Sequence, residues 1–251
     1  MATKQQQSVA GSAPPVEGEV ALWRGADCDA VLYERSFEEH SPTIIAACSE
    51  AQAGLESRPE IFVHGKPVRQ PRDVGFFSDE SAGYHYSRRV AKAKPLTPAL
   101  RLLLQIVNCI YAMDWNGMLI NRYNDGDDSI GDHNDSEKGI DMRRGVLTLS
   151  FGVPRTFRIR DYVPGKVGPI KYDATTKSCF ALRMAGSSFQ KRYTHGIPKR
   201  ANVGGRRFSI TFRRHLPEYE ASIERKIKAE EAKAANPPAA GGGKRKRDAE
   251  A

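Results

Sequence analysis

The chain has 251 residues and a formal net charge of +9, a length that suits one large domain with tails. No apolar run approaches the ~20 residues that a membrane-spanning helix needs, and the first residues lack the hydrophobic segment of a secretory signal. The four cysteines show neither a CxxC pair nor zinc-ligand spacing, as is typical of reduced thiols. These features predict an intracellular protein without a membrane anchor, for which a monomer is the default, and the excess of Lys and Arg favours nucleic acid as partner.

Both ends of the chain are polar and differ from the middle. Residues 1–18 are rich in Gln, Ser, Pro and Gly and predict a disordered N-terminal tail. Residues 19–216 predict one domain, and residues 217–236 an exposed helix with many opposite-charge neighbours. Residues 237–251 predict a flexible basic tail. Its tetrad Lys244-Arg245-Lys246-Arg247 resembles a nuclear localisation signal, which indicates a nuclear location in a eukaryotic or viral setting.

The domain begins with helical patterns and continues mostly with strands. A helix is predicted over 41–54, where Ser41-Pro42 can start it and Gly54 can end it. A second is predicted over 97–113, with Thr97 as N-cap, Pro98 at the first position and continuous apolar periodicity. The rest of the domain consists mostly of short strand-like runs separated by turns. These runs are IFVHGK, AGYHYS, GMLINRY, VLTLSFG, TFRIRDY, SCFALRM and RFSITFR. The order predicts a mostly β sandwich or barrel with flanking helices.

A polar stretch at 121–137, NRYNDGDDSIGDHNDSE, lies between the strand-like runs GMLI and GVLTLSFG. On a strand, His133 and Asp135 would face the same side because they are two residues apart. Alone, such a pair is more often a structural hydrogen bond than a metal site. With a second histidine, for which His195 is the natural candidate, it has the composition of the facial triad that binds Fe(II).

The run RFSITFR alternates without a break between polar and apolar residues. Its polar face could belong to an edge strand in water, or it could line the interior of a barrel. Asn121 and Tyr123 share a face in the same way on an earlier strand. Two arginines inside a barrel would need an anion, because an uncompensated buried charge is costly. A dicarboxylate held by a bidentate arginine would supply that anion.

These motifs together resemble those of the AlkB-type 2-oxoglutarate- and Fe(II)-dependent dioxygenases, and most closely the eukaryotic-type nucleic-acid repair demethylases. LINRY is followed, ten residues after its Tyr, by HxD, then by a distal His, and R-x-S-x-T-F-R starts twelve residues past that His. The resemblance covers about residues 55–215. It implies a double-stranded β-helix, the cupin-like jelly roll, as the core at about 115–216, with an N-terminal nucleotide-recognition lid at about 58–95. The implied cofactors are Fe(II), 2-oxoglutarate and O2, with ascorbate in support.

The resemblance also implies roles for individual residues. The catalytic iron ligands fall on His133, Asp135 and His195. The contacts to 2-oxoglutarate fall on Asn121, Tyr123, Arg207, Ser209, Thr211 and Arg213. Arg207 is expected to hold the distal carboxylate, and Arg213 to lie near the iron-chelating end. Ser209 stands where many members have Asn, and its hydroxyl can also donate a hydrogen bond.

The stretch VHGKPVRQPRDVGFFSDESAGYHYS resembles the lid that covers the flipped base in these repair enzymes. Tyr84, Tyr86 and Ser87 are implied substrate contacts, with Tyr86 stacked on the base; core packing of an alternating strand is the alternative for both tyrosines. Glu137 is implied to contact the exocyclic amino group of the damaged base, against the alternative of a solvated loop acid. Ser136 replaces an Asp found in related enzymes.

Strand preference depends on cues that conflict. His64 stands at the position of an aromatic wedge, and it fills less of the base stack than phenylalanine would, which favours single strands. Arg72, Lys199 and Arg200 match basic positions that hold the DNA backbone in related enzymes. The sequence leaves the choice between single and double strands open.

The implied reaction is oxidative demethylation of 1-methyladenine and 3-methylcytosine in DNA, coupled to decarboxylation of 2-oxoglutarate, with release of formaldehyde and succinate. This is direct-reversal repair of DNA damage. An RNA demethylase or modified-base hydroxylase would use the same iron site, since only the 2′-hydroxyl separates the polymers. A nucleic-acid-binding module with a vestigial metal site is a third, non-enzymatic hypothesis.

Overall fold

The computed structural model describes residues 14–27, 29–63, 65–87, 89–135 and 139–235. The predicted tail at 237–251 with its basic tetrad, residues 1–13 of the N-terminal tail, His64, Ser136 and Glu137 lie outside these ranges. Within the remainder of the predicted N-terminal tail, Val16 packs against a core cluster and its N–H donates to Glu19 Oε2 at 2.9 Å. None of the helices in the described ranges has the length and hydropathy needed to cross a bilayer.

The two helices predicted within the domain are confirmed. The described residues form four α-helices: α1 (Ser41–Ala51), α2 (Pro98–Tyr111), α3 (Phe189–Arg192) and α4 (Glu220–Ala235). A 3₁₀ turn over Gln52–Gly54 extends α1 to the predicted end. At α2 the Thr97 side chain accepts the N–H of Leu100, and Ala112 closes the helix in the left-handed conformation.

Fifteen strands lie in the described residues. They are β1 (Val20–Arg24), β2 (Val31–Ser36), β3 (Glu60–Val63), β4 (Lys66–Arg69), β5 (Asp73–Phe77), β6 (Gly83–Tyr86), β7 (Arg89–Lys94), β8 (Gly117–Tyr123), β9 (Ile130–His133), β10 (Val146–Gly152), β11 (Arg155–Asp161), β12 (Ile170–Thr176), β13 (Phe180–Ala185), β14 (Tyr193–Ile197) and β15 (Arg207–Arg213). Six of the seven predicted runs each coincide with one strand, whereas IFVHGK covers the end of β3 and the start of β4.

Strands β8 to β15 form a jelly roll. A nine-stranded sheet has the order β1-β2-β13-β10-β15-β8-β5-β7-β6, and a four-stranded sheet has the order β12-β11-β14-β9. The chain alternates between the two sheets, apart from the hairpin β11–β12 that stays in the smaller one. This is the double-stranded β-helix that the sequence predicted, with β1, β2 and β5–β7 extending the larger sheet.

Two apolar cores position the site. Outward-facing residues of β8, β10 and β15, such as Ile120, Leu149 and Ile210, pack beneath α1 and α2. Inward-facing residues of both sheets, such as Phe157, Leu182 and Ile197, form a second cluster between them. The helices therefore cover one face of the larger sheet, and the polar faces of its central strands are left to line the interior.

The segment predicted as the lid, about residues 58–95, includes two hairpins, β3–β4 and β6–β7. β7 joins β5 of the main sheet through two parallel residue pairs, Phe76 with Ala93 and Phe77 with Lys94. The rest of β6–β7 is covered by α4, the helix predicted to be exposed. Most of α4 is exposed, but Ile223 is buried, and Glu220 and Glu230 bind the lid backbone.

Candidate metal centre and its two chambers

Two strands of the smaller sheet bring two histidines and an aspartate together. The antiparallel pairing of β9 with β14 places His133 directly opposite His195, and their ring centroids are 4.3 Å apart. Asp135 follows β9 by two residues. One potential ligand atom from each of the three side chains lies within 4.8 Å of the others. The structure thus joins the three residues that the sequence predicted as a metal site.

The donor atoms of this triad fit one ferrous ion. The His133 Nδ1 lies 2.9 Å from the Gly131 carbonyl oxygen, so that N–H is assigned as donor there and Nε2 keeps its lone pair. His195 Nε2 lies 3.6 Å from Asp135 Oδ2, a buried oxygen with no hydrogen-bond partner among the described residues. Two imidazole nitrogens and one carboxylate oxygen are the ligand set of mononuclear Fe(II) oxygenases.

The surroundings hold all three groups in the protonation state that a metal requires. Burial lowers the pKa of His195 to about 3, with a further contribution from the neighbouring imidazole of His133. Loss of hydration also lowers the pKa of His133. Burial acts to raise the pKa of Asp135, but the Arg213 guanidinium at 2.6 Å and both imidazoles outweigh it and lower the value to about 2. Two neutral imidazoles and an ionised carboxylate can bind a metal without first losing a proton.

An inner chamber of 40 Å³ lies between the sheets behind the triad. Its polar wall comes from β8 and β15, whose register pairs Tyr123 with Arg207 and Asn121 with Ser209. All six residues predicted to contact 2-oxoglutarate line it: Asn121, Tyr123, Arg207, Ser209, Thr211 and Arg213. The polar alternation in RFSITFR therefore faces the interior of the barrel and not bulk water.

Arg207 carries an uncompensated charge in this chamber. Its side chain is 1% exposed, its NH2 group donates to Ser150 Oγ at 2.8 Å, and its guanidinium carbon lies 5.1 Å from the centre of the Tyr123 ring. No carboxylate of the described residues forms an ion pair with it, and its Nε and NH1 have no hydrogen-bond partner there. A buried cation in this state calls for an anion, which the distal carboxylate of 2-oxoglutarate would provide.

An outer chamber of 360 Å³ lies on the other side of the triad, beneath the lid. Ile61 and Val68 of β3–β4 and Tyr86 of β6 form its walls. His133 and Asp135 line both chambers. The volume lies within the range of about 300–1,000 Å³ that is usual for small-molecule sites.

The two lid tyrosines differ in their surroundings. Their rings are stacked, with centroids 5.3 Å apart. Tyr84 is 5% exposed and packs against Phe76 and His215, so the core-packing alternative describes it well, although it also lines the outer chamber. Tyr86 is half-buried and its hydroxyl accepts a hydrogen bond from Gln70 at 2.9 Å. Ser87 follows at a positive φ of 45° and lines the same chamber.

The contact of Arg72 with a nucleic-acid backbone stays a prediction, and the structure shows the surroundings of this residue. Its side chain is 6% exposed and donates to Asn121 Oδ1 at 2.8 Å, to Gln70 Oε1 at 2.6 Å and to the Ser129 carbonyl at 3.3 Å. These three neutral oxygens hold the guanidinium inside the domain, and Arg72 also lines the outer chamber. Its proximity in sequence to the basic lid segment gave no indication of this burial.

The other two basic residues predicted to contact the backbone are exposed. Lys199 and Arg200 follow β14, and both side chains lie in solvent. The Arg200 N–H donates to the Gly126 carbonyl at 2.9 Å, which fixes the loop and leaves the guanidinium accessible. The structure thus places these two residues where contact with a polyanion is sterically open.

Several residues around the triad were not predicted. Ser150 and Thr148 of β10 face the interior, and the alternation in VLTLSFG was the signal that could have found them, since it matches that of RFSITFR. Gln190 accepts the Asp135 backbone N–H at 2.9 Å, and Gln70 contacts Tyr86. Both glutamines lie at the site because of tertiary packing, so no local sequence pattern predicts their position.

A jelly roll whose smaller sheet carries a two-histidine, one-carboxylate centre beside a basic inner chamber defines a mononuclear, metal-dependent oxygenase. The model of the 2OG-Fe(II) oxygenase superfamily matches residues 30–213, and the chain belongs to that superfamily. It is therefore a dioxygenase that depends on Fe(II), 2-oxoglutarate and O2.

The relatives include AlkB-type proteins. The "DNA oxidative demethylase ALKBH2" of Homo sapiens is 28% identical over 196 residues, which cover 76% of this chain and 74% of the relative. The "Alpha-ketoglutarate-dependent dioxygenase alkB homolog 3" of Rattus norvegicus is 30% identical over 155 residues, 59% of this chain and 52% of the relative. The solved structure of OsALKBH1 aligns with a TM-score of 0.48 at 15% identity, over 78% of this chain and 100% of that one.

Proposed function

We propose that the protein is a nucleic-acid demethylase that removes N-methyl groups from 1-methyladenine and 3-methylcytosine in DNA by direct reversal. The observation that carries the proposal is the position of the triad in the wall between two chambers. One chamber offers a buried cation to a dicarboxylate, and the other offers an aromatic ring to a planar base. Relatives named as DNA oxidative demethylases support the same substrate class.

Each part of the site has a role in this proposal. His133, Asp135 and His195 hold Fe(II), and Arg207 with Ser150 pairs with the distal carboxylate of 2-oxoglutarate. Asn121, Tyr123, Ser209, Thr211 and Arg213 complete the inner chamber. Arg213 also keeps Asp135 ionised through its 2.6 Å contact, so the carboxylate remains a ligand at acid pH.

The reaction joins the chemistry of the two chambers. Bound Fe(II) supplies the activation of O2, one oxygen atom of which enters succinate while the other enters the methyl group as hydroxyl. The N-hydroxymethyl base then releases formaldehyde, and 2-oxoglutarate leaves as succinate and carbon dioxide. The residues of the inner chamber orient the cosubstrate, and the enclosed walls exclude water from the reacting methyl group.

The outer chamber would hold the flipped base. Tyr86 would stack on one face, with His133 at the other, since both line the chamber. Stacking on an aromatic ring contributes about 1–3 kcal/mol per base. Tyr84 would support the Tyr86 ring from behind, and Ser87 would lie at the chamber wall. Glu137 and His64 keep the roles predicted for them, as an exocyclic-amine contact and a wedge.

Basic residues outside the chambers would bind nucleic acid and direct the protein to the nucleus. Lys199 and Arg200 would contact the phosphate backbone, and the net charge of +9 would attract the polymer. The basic tetrad at 244–247 would direct the protein to the nucleus. The proposed organisation is a monomeric domain at 19–216, followed by the 217–236 helix and the basic tail.

The test is incubation of the protein with Fe(II), ascorbate, 2-oxoglutarate and methylated oligonucleotides, single- and double-stranded, as DNA and as matched RNA. Mass spectrometry should show loss of one methyl group from the DNA strands, with formaldehyde in equal amount, and none with a His133→Ala variant. Faster demethylation of RNA would move the assignment to an RNA demethylase. Turnover of 2-oxoglutarate without any change in the methylated strands would contradict the proposal.

A further inference from the structure

Arg72 lies at the boundary of the two chambers and contacts one residue of each. Its Nε donates to Asn121 Oδ1 at 2.8 Å, and Asn121 lines the inner chamber. Its NH2 group donates to Gln70 Oε1 at 2.6 Å, and Gln70 lines the outer chamber. Arg72 forms no ion pair with a carboxylate in the described part of the chain, and its NH1 group donates to the Ser129 carbonyl at 3.3 Å.

The chemistry of a guanidinium fixes the orientation of both amides. Arginine offers N–H donors and no acceptor, so Asn121 and Gln70 must each turn their carbonyl oxygen toward Arg72. The Asn121 NH2 group is thereby directed away from Arg72. The Gln70 NH2 group is directed to the hydroxyl of Tyr86, which it contacts at 2.9 Å.

The orientation of Gln70 then decides the role of the Tyr86 hydroxyl. Because Gln70 donates to it, the Tyr86 oxygen is an acceptor in that bond, and its own O–H proton is left to point elsewhere. Gln70 is 1% exposed, so water does not compete for this bond. Tyr86 thus has both a stacking face and a hydroxyl donor at the wall of the outer chamber.

We propose that Gln70 and Arg72 are positioning residues that set the hydrogen-bond polarity of both chambers. Through Arg72, the Asn121 amide is held as a donor to the anionic cosubstrate. Through Gln70, the Tyr86 hydroxyl is held as a donor to an oxygen acceptor of the bound nucleotide. The second half of this inference rests on the proposed function, and the first half does not.

The test compares Gln70→Glu with Tyr86→Phe and with the double variant, all loaded with Mn(II) in place of iron. A carboxylate at position 70 still accepts from Arg72, so the Kd for 2-oxoglutarate, measured by calorimetry, should stay within about twofold. It also accepts the Tyr86 proton and removes that donor from the nucleotide. The Kd for a single-stranded oligonucleotide with one 1-methyladenine, measured by fluorescence anisotropy, should rise about three- to tenfold.

The double variant separates positioning from simple charge repulsion. If the hydroxyl proton is the common cause, the oligonucleotide Kd of the double variant should equal that of either single variant. Losses that multiply would overturn the Gln70 part of the proposal, because a new negative charge would then act independently of Tyr86. Thermal unfolding of each variant reports whether the fold is kept.

Arg72→Met tests the other half without nucleic acid. Freed from its donor, the Asn121 amide can turn its oxygen to the cosubstrate, and the Kd for 2-oxoglutarate should rise about tenfold. An unchanged Kd in a folded Arg72→Met protein would overturn this half. Should the parent protein bind no oligonucleotide, the proposed function fails, and this measurement alone decides the inference.

Discussion

The inner and outer chambers differ in how the fold holds their walls. The inner chamber is built on β15, which is paired along its full length with β8 on one side and over six residues with β10 on the other. The outer chamber is closed by two short hairpins, one of which joins the main sheet through two residue pairs. Backbone pairing along β15 fixes the side chains of the inner chamber, whereas the side chains of the outer chamber depend more on side-chain contacts.

This difference separates chemistry from substrate choice. Side chains on a central strand keep their positions as long as the sheet is folded. This suits residues that must always bind the same cosubstrate beside the same metal. A lid held by α4 and by the Gln70–Tyr86 bond can change its sequence without disturbing the ladder. We expect the same separation, between a reaction site on central strands and a substrate site on peripheral hairpins, in other enzymes that use one fold and one reaction on different substrates.

Removing the charge of Arg207 from the inner chamber should have the largest effect on the binding of 2-oxoglutarate. An Arg207→Met variant loses the cation that the cosubstrate would pair with, and the loss of one member of a buried charge pair costs about 2–5 kcal/mol. The Kd for 2-oxoglutarate in the Mn(II) protein should rise at least about 30-fold by calorimetry. Arg206→Met, one residue away and exposed, should bind as the parent does. A change below threefold in Arg207→Met would show that the anion lies elsewhere.

Removing the aromatic wall should affect only the outer chamber. Tyr86→Ala loses a stacking surface that contributes about 1–3 kcal/mol, so the KM for a methylated oligonucleotide should rise by roughly 5- to 150-fold while the Kd for 2-oxoglutarate stays unchanged. Tyr162→Ala is the matched control, since Tyr162 is 47% exposed and lines neither chamber. An equal rise in both variants would contradict the assignment of the base to this wall.

The stability of the fold should decrease in acid because of His215, which lies where the lid meets the main sheet. His215 packs on Phe76 and Tyr84, and burial, together with Arg213 and Arg214, lowers its pKa to about 3. Unfolding restores a pKa near 6.5, so the unfolded state binds more protons below that pH and the folded state loses stability as pH falls.

Between pH 7 and pH 5 this group should cost the parent about 2 kcal/mol of unfolding free energy. His215→Gln removes the titration, so its unfolding free energy should fall less over the same interval, measured by urea denaturation. Parallel pH profiles for the two proteins would show that His215 keeps an ordinary pKa in the folded state.

The smallest effect is expected from loosening α4. Glu220 accepts the Ala82 N–H at 2.7 Å and Glu230 accepts the Val90 N–H at 3.1 Å, so both ends of the β6–β7 hairpin are tied to one helix. In a Glu220→Gln/Glu230→Gln protein these bonds lose their charge assistance. Amide hydrogen exchange at residues 82 and 90 should accelerate several-fold, with a two- to fivefold rise in oligonucleotide Kd.

Glu224→Gln serves as the control on the same helix, because its side chain is exposed. Exchange that accelerates equally in the control would mean that overall helix charge, and not the two backbone contacts, holds the lid.

The sequence predicted the inner chamber far better than the outer one. His133 and Asp135 share a strand edge and β15 alternates strictly, so local spacing already states which side chains face inward. The partners of the outer chamber come from loops and remote elements. Nothing in the sequence around Arg72 or Gln70 indicates that they are buried, because their burial depends on contacts with remote residues, Asn121 of β8 and Tyr86 of β6. The contacts of α4 were missed for the same reason, because the sequence of a charged helix does not show which backbone N–H groups its glutamates accept.

The metal centre is tested most directly by anaerobic calorimetric titration of the metal-free protein with Fe(II). A three-ligand centre predicts one ion per chain for the parent, and a loss of affinity of at least about 100-fold when either Asp135 or His195 is changed to Ala, because each change removes one of the three ligands. Binding of Fe(II) by both variants with the affinity of the parent would contradict it.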